Sequence, residues 1–178
     1  MQRRTVLRSI VDEFNKRFFQ RSDEGLHLRG HITFDVLHAD GTHEIREMSN
    51  LIMDAGENEA AKLLVGLTAS PFTYIALGID DDPAPADSQT TLNSEKTSGG
   101  AARAEDATPT TSGNVSSIAV TFTITSGTSI PLVEVGLFND TYANGGDMFS
   151  RQIFDVINVK TPDQLTITWQ ITHGVSRA

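Results

Sequence analysis

Two segments in the second half of the chain exchange apolar for polar side chains at every step, and that period of two restricts them to extended structure. In Leu165-Thr-Ile-Thr-Trp-Gln-Ile-Thr172, Leu165, Ile167, Trp169 and Ile171 share one face, while Thr166, Thr168, Gln170 and Thr172 share the other. Successive side chains of a strand point to opposite sides, so this is the pattern of a strand with one dry face. Ile118-Ala-Val-Thr-Phe-Thr-Ile-Thr125 repeats it, with Ile118, Val120, Phe122 and Ile124 facing inward. Two Thr-rich strands of this kind, with no catalytic motif beside them, predict a β-sandwich that presents surface rather than performing chemistry.

Further elements follow from local pattern. Over residues 4–20, Leu7, Ile10, Val11, Phe14 and Phe18 recur at spacings of three and four, which predicts an amphipathic helix with one apolar stripe. Each such side chain contributes roughly 1.5–3 kcal/mol when buried, so the stripe must dock on something. Residues 31–48 predict a hairpin turning at Asp40-Gly41, the pair favoured in two-residue turns. That register sets His38 opposite His43, Val36 opposite Ile45 and Asp35 opposite Arg46, with Ile45 on the apolar face. A second, short helix is expected from an N-cap at Asp54, with Ala60, Leu63, Leu64 and Leu67 as its buried stripe. Phe72-Thr-Tyr-Ile-Ala-Leu-Gly78 reads as a central strand. Residues 80–114, rich in Asp, Ala, Ser, Thr and Pro, predict a long surface excursion with a strand around 101–107. Further strands are expected over 131–139 and 148–154, giving seven or eight in all.

Composition narrows the possible chemistry. The 178 residues include no cysteine, which removes disulfide frameworks, cysteine-ligated zinc and thiol catalysis. No apolar run is long enough to span a bilayer, and early charges interrupt any signal-peptide core, so a protein assembled in a cytoplasm without membrane insertion is expected. The net charge of -9 argues against nucleic acid as a partner, because phosphate would be repelled. The first 21 residues are the exception, with six basic and two acidic side chains. With 14 Asp, 9 Glu and only 4 Lys, the surface also suits strong salt, where repulsion is screened within a few ångströms.

Candidate sites are few. His38 and His43, with His27 and His31 earlier in the chain, could begin a metal site, but Glu47 would not reach a shared ion and no tight His spacing joins them. Asp80-Asp81-Asp82 with Asp87 lacks the alternating spacing of a calcium loop. Gly-x-Ser-x-Gly is absent, Gly99-Gly100 is not followed by Lys and Ser/Thr, and the adjacent Glu105 and Asp106 would point apart on a strand. No cofactor, metal or catalytic residue is expected, and the chain is read as a non-enzyme.

The order of motifs resembles a known family. Asn50-Leu-Ile-Met-Asp-Ala-Gly56, Ala61-Lys-Leu-Leu-Val-Gly66 and Phe72–Gly78 are followed by Pro83-Ala-Pro-Ala-Asp87 and Thr91-Leu-Asn-Ser-Glu95. Val133-Glu-Val-Gly-Leu-Phe-Asn139, Met148-Phe-Ser-Arg-Gln-Ile-Phe154 and the closing Leu165–Ile171 complete the series. Over residues 49–173 this is similar to a small β-sandwich domain of tailed-virus (phage or archaeal virus) virion proteins, which include tail-fibre, baseplate and appendage components. The resemblance implies a virion structural protein, assembled in the host cytoplasm, whose partners are copies of itself and other virion proteins of the tail, neck or capsid. It brings no catalytic residues, and residues 1–48 have no counterpart in it.

The expectation is therefore a mainly β chain: an antiparallel β-sandwich over residues 49–178, preceded by an assembly segment, residues 1–48, that holds the amphipathic helix and the hairpin. Leu7, Ile10, Val11, Phe14 and Phe18 are the expected assembly interface, inserted into a groove on a neighbouring subunit. A homo-oligomer in the tail, baseplate or fibre is the leading reading, and a capsid-surface decoration or turret is the alternative. A module binding host-surface carbohydrate is the alternative from a different class; it would need exposed aromatics, and Trp169 lies on an apolar face while Tyr142 alone falls in a loop.

Overall fold

The computed structural model describes residues 26–67, 70–143 and 145–175. The expected helix over residues 4–20, with the whole stripe from Leu7 to Phe18, lies outside the described residues. Within them the chain is mainly β. In chain order the strands are β1 (Leu26–Leu37), β2 (His43–Ile52), β3 (Tyr74–Gly78), β4 (Ala104–Glu105), β5 (Thr110–Ser112), β6 (Val115–Thr123), β7 (Ile130–Phe138), β8 (Met148–Val159) and β9 (Gln164–Val175). One helix, α1 (Asp54–Leu64), follows β2. All pairs are antiparallel, and the strands join in a single sheet of order β4-β3-β7-β8-β2-β1-β9-β6-β5.

Where two separate sheets were expected, one continuous sheet curls on itself as a half-barrel. Its two halves face each other across a common core. Ile32, Phe34 and Val36 of β1, Leu165, Ile167 and Trp169 of β9, and Val120 and Phe122 of β6 meet Ile75 and Leu77 of β3, Leu132, Val135 and Leu137 of β7, and Ile157 and Val159 of β8. The alternating segments fall where their pattern requires, with Trp169 fully buried between Ile32 and Ile118 on the neighbouring strands.

Two seams hold the curl. On one side β2 and β8 pair only at Leu51 with Arg151 and Ile52 with Ser150. Where they diverge, Arg46 donates from Nη1 to Asp155 O (2.6 Å) and from Nη2 to Val156 O (3.3 Å). On the other side Asp106 joins the halves, its Oδ2 accepting Ala119 N–H (2.8 Å) while its own N–H reaches Thr73 O (2.9 Å).

The hairpin corrects the expected register by one residue. β1 and β2 pair Leu37 with His43, Val36 with Glu44, Asp35 with Ile45 and Phe34 with Arg46. The connection is a three-residue loop, Ala39-Asp40-Gly41, closed by His38 N–H to Thr42 O and Gly41 N–H to His38 O, both 2.9 Å. Gly41 has φ of 84°, the left-handed position that such loops require. A one-residue slip moves a whole strand's side chains to the other face. Ile45 is therefore outward and 62 % exposed, whereas Phe34 and Val36 are sealed.

Asp40 fastens the loop by accepting from Thr42 N–H (2.9 Å) and Thr42 Oγ1–H (2.6 Å). Those donors, the hydroxyl foremost, hold its carboxyl below the ordinary 3.8. A depressed carboxyl contributes stability that is present above the unfolded value and disappears as pH falls through the folded one.

α1 begins one residue earlier than expected: Met53, not Asp54, is the N-cap, and its carbonyl accepts Glu57 N–H at 3.0 Å. The helix ends where Gly66, at φ of 73°, allows Gly66 N–H to reach Leu63 O and Leu67 N–H to reach Lys62 O. Its closest approach is at Gly56, where a Cβ would lie 2.4 Å from the backbone of Phe149, and of the expected stripe Ala60 and Leu63 pack against the core. Leu64 and Leu67, expected inside, are 80 % and 76 % exposed. β3 lies inside the sheet, between β4 and β7, and it is uniformly apolar because both its faces are also covered. Ile75 and Leu77 enter the main core, while Ala76 joins Met53, Leu92, Phe138 and Met148 in a second cluster behind the sheet.

Two measurements check this arrangement. Ile45→Lys should change stability by less than about 0.5 kcal/mol, and Phe34→Ala should cost roughly 3–5 kcal/mol in urea unfolding. Equal costs would contradict the register. In a carbon-13 pH titration the Asp40 carboxyl should have its midpoint below 3.8; an ordinary midpoint would remove its role in the loop.

Candidate functional site

The residues singled out for chemistry are dispersed. The corrected register places His38 and His43 on opposite faces of the hairpin. His38 lies near Asp163 (3.5 Å) and Glu44 (3.7 Å), while His43 Nδ1 is 2.7 Å from Asp35 Oδ1. His31 lies 3.8 Å from Glu47. Among the described residues no three His, Asp or Glu side chains converge to hold a metal. Asp80, Asp81 and Asp82 are exposed, and Asp80 Oδ1 accepts Asp82 N–H at 3.1 Å, a local turn bond. Glu105 and Asp106 do diverge: Asp106 ties the far seam, and Glu105 hydrogen-bonds Tyr74, whose pKa rises through burial first and Glu105 second. Gly99 O accepts Thr125 N–H at 3.0 Å, so Gly99-Gly100 serves close backbone packing in the structure. Trp169 is fully buried, and Tyr142 is 74 % exposed.

What the structure does assemble is a buried charge network behind the sheet. In β7 a bulge between Leu132 and Glu134 reverses the inward parity: Leu132 precedes it facing in, Val135 and Leu137 follow it facing in. Bulges re-aim side chains in this way. Glu134 is thereby turned to the side covered by residues 79–109, where it is fully buried. Its carboxylate accepts Ser94 N–H (2.9 Å), Asn93 N–H (3.2 Å) and Arg151 Nε–H (3.0 Å). Arg151 Nη2 is 2.9 Å from the same carboxylate but poorly aligned for a hydrogen bond, so that contact is ionic. Arg151 Nη1 donates to Pro83 O (3.0 Å) and Gln89 Oε1 (2.9 Å).

A second pair lies beside it. Arg103 meets Glu95 through both prongs (2.9 and 2.7 Å), lies 3.8 Å over the Phe138 ring, and donates to Asp140 O (2.9 Å). Both side chains are nearly fully buried. These two pairs bind the long 79–109 excursion to β7 and β8. Four of the segments singled out in the sequence, at Pro83, Asn93–Glu95, Glu134 and Arg151, meet in these two adjoining pairs. Sequence reasoning missed them, because a Glu and an Arg inside apolar runs read as alternation toward solvent.

The principal open feature is an apolar groove of about 690 Å³ at one end of the half-barrel. Leu28 of β1, Leu63 and Leu64 of α1, Phe72, Ile118 of β6 and Ile171 of β9 line it. Ile118 and Ile171 form a buried floor, and Phe72 packs on Phe149 with ring centroids 5.1 Å apart. Leu64 on its wall is exposed, as are Val65 (67 %) and Leu67, which follow it in the chain. Such a patch favours covering by a partner surface rather than water. No helix among the described residues is long and apolar enough to cross a membrane.

Comparison with known proteins returns nothing: no family model, no curated protein and no solved structure matches the chain.

Arg151→Met would leave Glu134 buried with only its two amide donors. Removing one partner of a buried pair costs roughly 3–5 kcal/mol. Limited proteolysis should then cut within residues 80–92 at protease levels that leave the parent chain intact. An unchanged digestion pattern would show that the network does not hold the excursion in place.

Proposed function

We propose that this chain is a non-enzymatic structural subunit of a tailed-virus particle, assembling as a homo-oligomer in the tail, baseplate or fibre region. In this reading the curled body serves as a sandwich-type building block, made in the host cytoplasm and delivered to the virion. Residues 1–22, through Leu7, Ile10, Val11, Phe14 and Phe18, join each copy to its neighbours. The observation that carries the reading is the convergence of the family-like segments in one network. Pro83, the run Asn93–Glu95, Glu134 and Arg151 come from separate parts of the chain, yet each is used to fasten the same excursion. That use explains why such motifs would recur together without any catalytic role.

Incorporation into particles is the test. Phe14→Asp with Phe18→Asp should leave the body folded and abolish incorporation; particles holding the variant at normal copy number would end the docking role. Labelled antibody on intact particles should mark the tail. Label on the capsid would favour the decoration or turret alternative, and no label at all would overturn the virion reading. The glycan-binding alternative rests on Tyr142, the exposed aromatic, and predicts saturable glycan binding lost in Tyr142→Ala.

A further inference from the structure

We infer that in the free chain the apolar groove beside α1 is the seat of the chain's own N-terminal segment, residues 4–20, held there by Leu7, Ile10, Val11, Phe14 and Phe18. The groove and the segment match in character and in place. The groove is lined largely by aliphatic and aromatic side chains, and Leu64 on its wall is exposed, followed in the chain by the exposed Val65 and Leu67. The segment carries five apolar side chains at helical spacing, on a stretch that as a helix would measure about 25 Å.

Connectivity selects the occupant. The chain enters β1 at Leu26, and Leu28, two residues on, is already a wall of the groove. Phe18 precedes Leu26 by eight residues, a span of at most about 28 Å. The stripe is therefore tethered at the groove's edge, and short flexible tethers give effective concentrations on the order of millimolar. A second copy at micromolar concentration cannot compete with that. Charge agrees: the groove's acidic member is Glu57, and the first 21 residues are six basic against two acidic.

The inference concerns the free chain and stands on groove, stripe and tether alone, so it and the virion reading can fail separately. The two are compatible. A neighbour's groove has the same walls, and a stripe released from its own seat could make the same contacts in an assembled oligomer.

The absence of cysteine allows a direct test on the full chain. The double variant Phe14→Cys with Leu64→Cys places one thiol on the stripe and one on the groove's exposed wall. It is treated at micromolar concentration with a short bis-maleimide and weighed intact. Linkage within single chains is expected to exceed linkage between chains on the order of a hundredfold. A control pair, Phe14→Cys with Val156→Cys, puts the second thiol roughly 23 Å along β8 from the groove residue Phe149, and should link far less. Linkage chiefly between chains, including between the two single variants when mixed, would assign the groove to a second copy and overturn the inference. So would separate modification of both thiols without linkage, or equal linkage in the control.

Discussion

The fold depends on a carboxylate and a guanidinium that never meet water. Glu134 and Arg151 are both fully buried, and removing two such charges from solvent costs several kcal/mol each unless their remaining lone pairs and protons are satisfied. Here they are satisfied largely by main chain. Glu134 takes the amides of Asn93 and Ser94, and Arg151 takes Pro83 O. The pair therefore does not merely join β7 to β8. It fixes a long segment of low apolar content to the back of the sheet, where hydrophobic contact alone would give little hold. Gly78 belongs to the same design, since a Cβ there would lie 2.2 Å from Glu134 Oε1. A larger residue at 78 would displace the carboxylate from its donors.

This arrangement explains what could and could not be read along the chain. β6 and β9 were legible because one face is dry and the other wet, so the period of two survives in composition. β3 was legible as an interior strand: it lies between β4 and β7, and the second apolar cluster over its outer face adds to its apolar composition. The hairpin was visible and misregistered because Asp-Gly suits both a two-residue turn and a three-residue loop ending in a left-handed glycine. Choosing between them needed Ile45 on the outer face, against its hydrophobicity. The groove was half legible, through a stripe that required a receptor. The groove itself draws on six separate elements and the loop before β3, and the exposed Leu64 and Leu67 nearby looked like ordinary core positions. The charge network left no local signal, because its partners are up to 68 residues apart.

The same network bears on chemistry. Acid–base catalysis needs titratable groups that converge on an open site with their protonation poised. The best-organised charges in this chain are locked in buried pairs and committed to backbone groups. The histidines and the Asp80–Asp82 run stand apart from one another at the surface. Among the described residues, what faces solvent includes acidic side chains, Thr-rich strand faces and the apolar groove. A fold of this kind does not dictate what it associates with, so the virion reading draws on the ordered motifs rather than on the architecture.

Net charge and the groove place opposed demands on such a subunit. An excess of nine negative charges keeps copies apart in dilute solution, yet an uncovered apolar groove would draw them together indiscriminately. A basic, apolar N-terminal segment tethered beside that groove would resolve the conflict in physical terms. Seated as inferred, it would cover the groove with side chains of the right character and set basic residues against an acidic body. It would also make exchange between copies a substitution of equivalent contacts rather than the creation of new ones. On that inference the barrier to any exchange between copies would be the release of the segment, a step that salt, by screening its charges, would ease.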